Sequence, residues 1–292
     1  ASRCPVNHPR EGAMNFFPFF LMQTRIIHFS DTHEPATLEH WHGLFDKRLL
    51  GLANSSVIRR KRYDRAYLPR MVDYILRNPP DLAVFTGDAT SCGQPGEFAR
   101  ALRMFKPLLR SGIPFIYTPG NHDAYVQDRA CVSALERFTR DMWRGQHTLQ
   151  DYPFALDFPL FRVLVLHCAR PFNPAMSCGY MPPRTRRFLL EEAARLDARP
   201  LICTGHFPLI TQASLLNMRR RLYGAAGAAG LLKEGIIDLS LCGHIHKPYE
   251  LLNETGRGEI VAGSLTKTGA FAEITYDSDT DKFSLRRIAL PG

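Results

Sequence analysis

No apolar run in this sequence approaches the roughly 20 residues needed to cross a bilayer. The longest, Phe16 to Met22, is interrupted by Pro18. It is also short for a secretory signal, and no small-residue cleavage site separates it from the first predicted strand, so a cytoplasmic protein is expected. C-x-x-C spacings are absent. The seven cysteines (Cys4, Cys92, Cys131, Cys168, Cys178, Cys203, Cys242) are odd in number, which fits small buried thiols in a reducing compartment. Acidic residues are scarce: 28 Asp and Glu against 37 Lys and Arg give a formal charge of +9, which points to a polyanionic partner. A phosphorylated substrate, a nucleic acid and an anionic membrane surface all satisfy that charge. Internal repeats and long low-complexity linkers are missing, although GAAGAAG at 224–230 is rich in small residues.

What is present is enough apolar material, 45% of 292 residues, to fill one large core. Residue 1 is Ala rather than Met, so residues 1 to about 13 are set aside from fold reasoning. Residues 1–23 read as an N-terminal extension and 24–292 as one domain. Buried strands are predicted at 25–30, 81–87, 114–120, 161–168, 200–205 and 238–243, where β-branched and apolar residues run together. Helical periodicity appears near 64–77, 96–110, 129–143, 184–198 and 225–234. That alternation predicts an α/β fold with largely parallel sheets. The tail differs, with strands at 259–264, 269–277 and 283–290 following one another without helices and a hairpin turn at 277–281. A two-sheet β-sandwich flanked by helices accommodates both halves. The stretch from Glu34 to Arg62 is too long for an ordinary connection and reads as a functional insert or lid, centred on residues 38–62.

Five predicted strands end in polar clusters: Asp31-Thr32-His33, Gly87-Asp88, Gly120-Asn121-His122-Asp123, Gly205-His206 and Gly243-His244-Ile245-His246. The carboxyl ends of parallel strands lie along one edge of a sheet, so residues remote in sequence converge there. Glycine before four of the clusters lets the backbone approach an ion closely. The donors are carboxylates, an amide oxygen and imidazoles without thiolates, a set suited to Mn²⁺, Fe or Zn²⁺. Their number exceeds the needs of one ion. Paired ions sharing a carboxylate can activate water and clamp both oxygens at phosphorus.

This ordered set resembles the calcineurin-like metallophosphoesterases, whose pattern is D-x-H, G-D, G-N-H-D/E, x-H and G-H-x-H, over roughly residues 25–277. The resemblance implies two divalent ions, with Mn²⁺ first and Fe or Zn²⁺ as alternatives. It places Asp31, His33, Asp88 and His246 on one ion and Asp88, Asn121, His206 and His244 on the other, with Asp88 bridging. His122 is then the catalytic group facing the phosphoryl, and Asp123 orients its imidazole or holds the loop. Departures from the pattern are Thr32, where an apolar residue is usual, and Ala89-Thr90 after the bridging Asp; neither removes a ligand. His28 and His167 lie outside the pattern and read as structural.

Two basic stretches bear on substrate. The insert interleaves Trp41, Leu44, Phe45, Leu49, Leu50, Leu52, Val57 and Ile58 with Lys47 and Arg48, and closes on Arg59-Arg60-Lys61-Arg62. Such a segment lies against a bilayer or covers an acyl-bearing substrate, or is an ordinary amphipathic helix with a solvated charge run. Arg219, Arg220 and Arg221 offer paired donors to a diphosphate, or form a solvated helix face. Within the family, Lys47-Arg48-Leu49-Leu50-Gly51, Gly120 to Tyr125 and Cys168-Ala169-Arg170 are similar to the UDP-2,3-diacylglucosamine pyrophosphatases of lipid A synthesis. That similarity implies hydrolysis to UMP and 2,3-diacylglucosamine 1-phosphate, with peripheral association with the inner face of the cytoplasmic membrane and no obligate protein partner. A generic or cyclic-nucleotide phosphodiesterase is the alternative. A DNA exonuclease and a silent scaffold rank lower, because stacking aromatics for single strands are not evident and every ligand position is filled.

Overall fold

Ile26 and Ile27 are neighbours in sequence, both fully buried, and belong to different cores. Successive strand residues point to opposite faces, so a strand buried on both sides carries an unbroken apolar run. The computed structural model describes residues 23–36, 39, 63–172, 176–210 and 220–291. The N-terminal extension up to residue 22 and nearly all of the predicted insert lie outside the described residues.

The first half runs β1 (Gln23–Phe29), α1 (Tyr67–Arg77), β2 (Leu82–Phe85), α2 (Pro95–Arg110), β3 (Phe115–Tyr117) and α3 (Arg129–Met142). Then come β4 (Phe154–Asp157), β5 (Arg162–Val165), β6 (Gly179–Tyr180), α4 (Pro183–Ala193), β7 (Leu201–Thr204), β8 (Leu222–Tyr223) and α5 (Ala226–Lys233). The chain closes with β9 (Leu239–Cys242), β10 (Tyr249–Leu252), β11 (Gly258–Val261), α6 (Leu265–Thr268), β12 (Ala270–Asp277) and β13 (Lys282–Ala289).

Two sheets form the sandwich, in the orders β13-β12-β1-β2-β3 and β10-β11-β9-β7-β5-β4, and β6 pairs with β8 separately. The strands β1, β2 and β3 are parallel, as are β5, β7, β9 and β11. Ile26, Val84, Ile116, Val163, Val165, Ile202, Leu239 and Leu241 fill the space between the sheets. Ile27, Phe29, Phe85, Leu164 and Cys203 turn the other way, toward the helices. Helix α1 buries Leu68, Met71, Val72 and Ile75 at helical spacing, and Asp128 caps α3 by accepting from the amides of Ala130 and Cys131. The α/β sandwich flanked by helices is therefore as expected.

Four strands were not foreseen: β4, β6, β8 and β10. β10 carries exposed Glu250 and Leu251, and β6 and β8 are two residues each, too short to show a period. The predicted helix at 184–198 ends at Ala193, and Arg195, Asp197 and Arg199 instead enter an ion-pair network around the buried Arg162. The tail is interrupted by α6, whose role emerges at the strand ends.

Candidate metal centre

All seven residues expected to bind metal stand at the carboxyl ends of β1, β2, β3, β7 and β9. Five of them, Asp31 (φ 55°), His33 (45°), Asp88 (57°), His244 (70°) and His246 (60°), hold the left-handed backbone that non-glycine residues avoid. Each such residue costs on the order of 1–3 kcal/mol and persists only where its surroundings enforce it. The enforcement is visible. Leu265 N donates to the Ser30 carbonyl at 3.0 Å, while Ser264 and Thr266 hydroxyls donate to the Asp31 carbonyl, so α6 buttresses the first cluster. A Cβ at Gly120 would collide with the Asp88 carboxylate, and one at Gly243 with Ser30 and Asp31, so both positions require glycine. At Gly205 a Cβ would meet only Leu166 at 3.7 Å, so close approach is not the reason for that glycine.

Ligand atoms of Asp31, His33, Asp88 and His246 all lie within 4.8 Å of one another. The Nε2 atoms of His33 and His246 are 2.9 Å apart, and Asp31 Oδ1 is 3.5 and 3.2 Å from them. On the other side, His206 Nε2 is 3.0 Å from Asn121 Oδ1 and 3.4 Å from Asp88 Oδ2, and the His206 and His244 rings are 5.1 Å apart. Asp88 Oδ2 also lies 3.8 Å from His33 Nε2, which places it between the two groups. Each carboxylate spends one oxygen on the fold: Asp88 Oδ1 accepts from His122 N and Asp31 Oδ2 from His244 N. The remaining oxygens, Asp31 Oδ1 and Asp88 Oδ2, and His244 Nε2 are buried without a hydrogen-bond partner. Buried polar atoms are rarely left so, and these three are the atoms a divalent cation would take. The donor set therefore fits the expected metals.

Electrostatics agree. Burial alone would raise Asp31, yet the close imidazoles of His246 and His33 hold its carboxyl well below the usual range. Burial likewise opposes ionisation of Asp88, but the positive charge of His206 and His122 brings it far below the ordinary carboxylate value. His206 is raised to about 9 against burial, through Asp88, while burial and the His206 charge lower His244 to about 3. Two ionised carboxylates at the bottom of the site demand cationic company.

One stretch of main chain orients three imidazoles. The carbonyls of Thr86, Thr90 and Ser91 accept from Nδ1 of His206 (2.7 Å), His33 (3.1 Å) and His122 (2.6 Å). A carbonyl only accepts, so each Nδ1 carries the proton and each Nε2 faces the site. Asp123 does not touch the His122 imidazole in any of its hydrogen bonds. Its carboxylate accepts from Thr90 N, Thr90 Oγ1, Gly120 N and Tyr117 OH, so of its two expected roles it performs loop-holding. Thr90, read as a mild departure, thus ties two motifs together. His28 donates or accepts through Nε2 with Thr86 Oγ1 at 3.0 Å, and His167 sits edge-on to Tyr152.

The substrate candidates are less complete. Arg48, Arg59, Arg60 and Arg219 lie outside the described residues. Arg220 and Arg221 are exposed and precede β8 rather than forming a helix face; the Arg221 carbonyl accepts from Gly179 N at 3.0 Å. Residues that sequence reasoning missed are Thr86 and Ser91, which act through their carbonyls, Glu97, whose carboxylate accepts from Ser91 N and Cys92 N, and Tyr63. Of these only Glu97 left a trace, as an acidic residue in a helix's first turn.

The calcineurin-like phosphoesterase family profile matches residues 24–248. The chain belongs to that family. Glycerophosphodiester phosphodiesterase GpdQ of Enterobacter lignolyticus (strain SCF1) is 29% identical over 106 residues, which span 36% of this chain and 30% of that protein. Among solved structures, a dimetal phosphatase from Danio rerio superposes with a TM-score of 0.61 at 14% identity, covering 90% of this chain and 98% of that one. Purple acid phosphatase PPD1 of yellow lupin gives 0.57 at 12% identity, covering 91% and 51%. Those two likenesses establish the shared fold. The family is one of metal-dependent phosphoesterases, and the donor set described above fits that chemistry. No helix among the described residues is long and apolar enough to cross a membrane.

Proposed function

We propose that this phosphoesterase hydrolyses phosphodiester or diphosphate bonds with two divalent ions, Asp31, His33, Asp88 and His246 holding one and Asp88, Asn121, His206 and His244 the other. The observation that carries this reading is Asp88 Oδ2, buried and without a hydrogen-bond partner between His33 Nε2 and His206 Nε2. When bound, such ions supply Lewis acidity and an activated water. The chain's own contribution is positional. His122, its Nδ1–H fixed on Ser91, turns Nε2 toward the phosphoryl, where it stabilises developing charge or donates a proton to the leaving oxygen. Its ring stacks on Tyr125 at 5.3 Å and meets His33 edge-on at 4.9 Å, which limits rotation.

For the substrate, the cationic, apolar insert and the +9 charge support the diphosphate of UDP-2,3-diacylglucosamine, bound by a protein resting on an anionic membrane face. A second reading, a small phosphodiester, is favoured by the partial match to a glycerophosphodiester phosphodiesterase. A Mn²⁺-supplemented assay comparing UDP-2,3-diacylglucosamine, UDP-N-acetylglucosamine, glycerophosphodiesters, cyclic AMP and a nitrophenyl diester separates them. Preference for the lipid nucleotide over UDP-N-acetylglucosamine supports the first; faster turnover of glycerophosphodiesters or cyclic AMP supports the second. No hydrolysis of any of them removes both.

A further inference from the structure

His246 is held differently from three other imidazoles of the centre. Where His33, His206 and His122 give Nδ1 to main-chain carbonyls, His246 Nδ1 meets a side chain, the phenol oxygen of Tyr63, at 3.0 Å. His246 is also the least packed of these ligands: its side chain is 23% exposed, against 0% for His33 and 1% for His206. Its orientation therefore depends more on this one contact than theirs do on any side chain.

Tyr63 is placed to serve. It stands at the start of the segment that leads into α1, and its ring lies edge-on to both His246 (6.2 Å, 81°) and His33 (6.0 Å, 76°). Its successors are tied to the elements that carry the first motif. Asp64 N donates to the Thr266 carbonyl at 2.7 Å, and Arg65 pairs with the buried Glu34 at 2.6 Å. The phenol is thus anchored from the same side as Asp31 and His33.

We infer that Tyr63 is a positioning residue for the first metal position, accepting the Nδ1–H of His246 so that Nε2 stays aimed at the point shared with Asp31 and His33. This rests on the two-ion reading above. A second hydrogen bond of this kind fixes the tautomer of a ligating histidine and raises its basicity, and its loss typically weakens metal binding about 10- to 100-fold. Phenylalanine at this position keeps the ring and removes only the acceptor.

The test is Mn²⁺ and Zn²⁺ binding to the metal-stripped full chain by calorimetry, for the wild type and Tyr63→Phe. The wild type binds two ions. In the variant one affinity falls about 10- to 100-fold, the other is kept, and the melting temperature of the metal-free protein is unchanged. The metal concentration giving half-maximal turnover rises in parallel, while turnover at saturating metal stays near wild type. Two affinities equal to wild type overturn the inference, as does lost turnover with unaltered metal binding, which would place the phenol on the substrate. Should Tyr63→Phe not fold, nitrogen-15 spectra of the Zn²⁺-loaded wild type decide: a His246 proton on Nδ1 supports the inference and one on Nε2 overturns it. A wild type that binds no divalent ion overturns the two-ion reading itself.

Discussion

The Ser91 carbonyl accepts a 2.6 Å hydrogen bond from His122 Nδ1, and so decides which nitrogen of that imidazole faces the phosphoryl position. The Ser91 amide on the same segment is held at 2.7 Å by Glu97, a carboxylate fully buried at the start of α2. The His122 imidazole is therefore oriented from the core of the domain.

Removing that imidazole is expected to separate chemistry from metal binding. His122→Ala is expected to retain both ions while turnover falls roughly 10²- to 10⁴-fold. If His122 protonates the leaving group, the loss is greater for a phenyl than for a nitrophenyl ester. Metal analysis and kcat on the two esters check this; loss of metal in the variant would contradict the division of roles.

Glu97 acts one step further out. Glu97→Ala leaves the amides of Ser91 and Cys92 without their buried acceptor, at a cost of about 1–3 kcal/mol each. Glu97→Gln keeps one acceptor oxygen and is expected to recover most of the stability and most of kcat, with KM little changed in both variants. Denaturant unfolding and steady-state kinetics measure the two effects; equal damage from both substitutions would deny Glu97 its part.

A second buried carboxylate makes stability depend on pH. Glu259 on β11 accepts from Leu209 N and Ser240 Oγ, and burial pushes its pKa up to about 7 from 4.5. The folded state holds this proton more tightly than the unfolded chain. Its contribution to stability is therefore full below pH 4.5 and lost as the pH rises through about 7. Across that window the change is roughly 3 kcal/mol. In Glu259→Gln the melting temperature should fall less steeply than in wild type between about pH 5 and 8; parallel curves would show that Glu259 does not titrate there.

Much of this was legible in the sequence. The parallel strands announce themselves because both faces are buried, so Leu82 to Phe85 or Val163 to Leu166 read as unbroken apolar runs. The candidate ligands follow, since polar residues placed directly after such runs have one sheet edge to share. What stayed hidden has a physical reason in each case. β10 is an exposed edge strand, and β6 and β8 are too short for periodicity. Thr86 and Ser91 act through carbonyls, which every residue possesses, so no side chain advertises them. Tyr63 belongs to none of the motifs, and only the fold brings it to His246. Adjacency to His122 leaves Asp123 two possible roles, because it does not say which way a carboxylate points.

Asp88 is the residue on which both groups of ligands depend. Asp88→Asn retains the shape of the side chain but not its charge, and is expected to weaken binding at both positions together, by an order of magnitude or more. Calorimetry showing one ion still bound with wild-type affinity would confine Asp88 to a single position.

The central claim is a pair of ions around one shared carboxylate, and anomalous diffraction from crystals grown with Mn²⁺ tests it most directly. The account predicts two peaks about 3.5 to 4 Å apart, with Asp88 Oδ2 between them, His33 and His246 on one and His206, His244 and Asn121 on the other. A single peak, or peaks remote from Asp88, would contradict it.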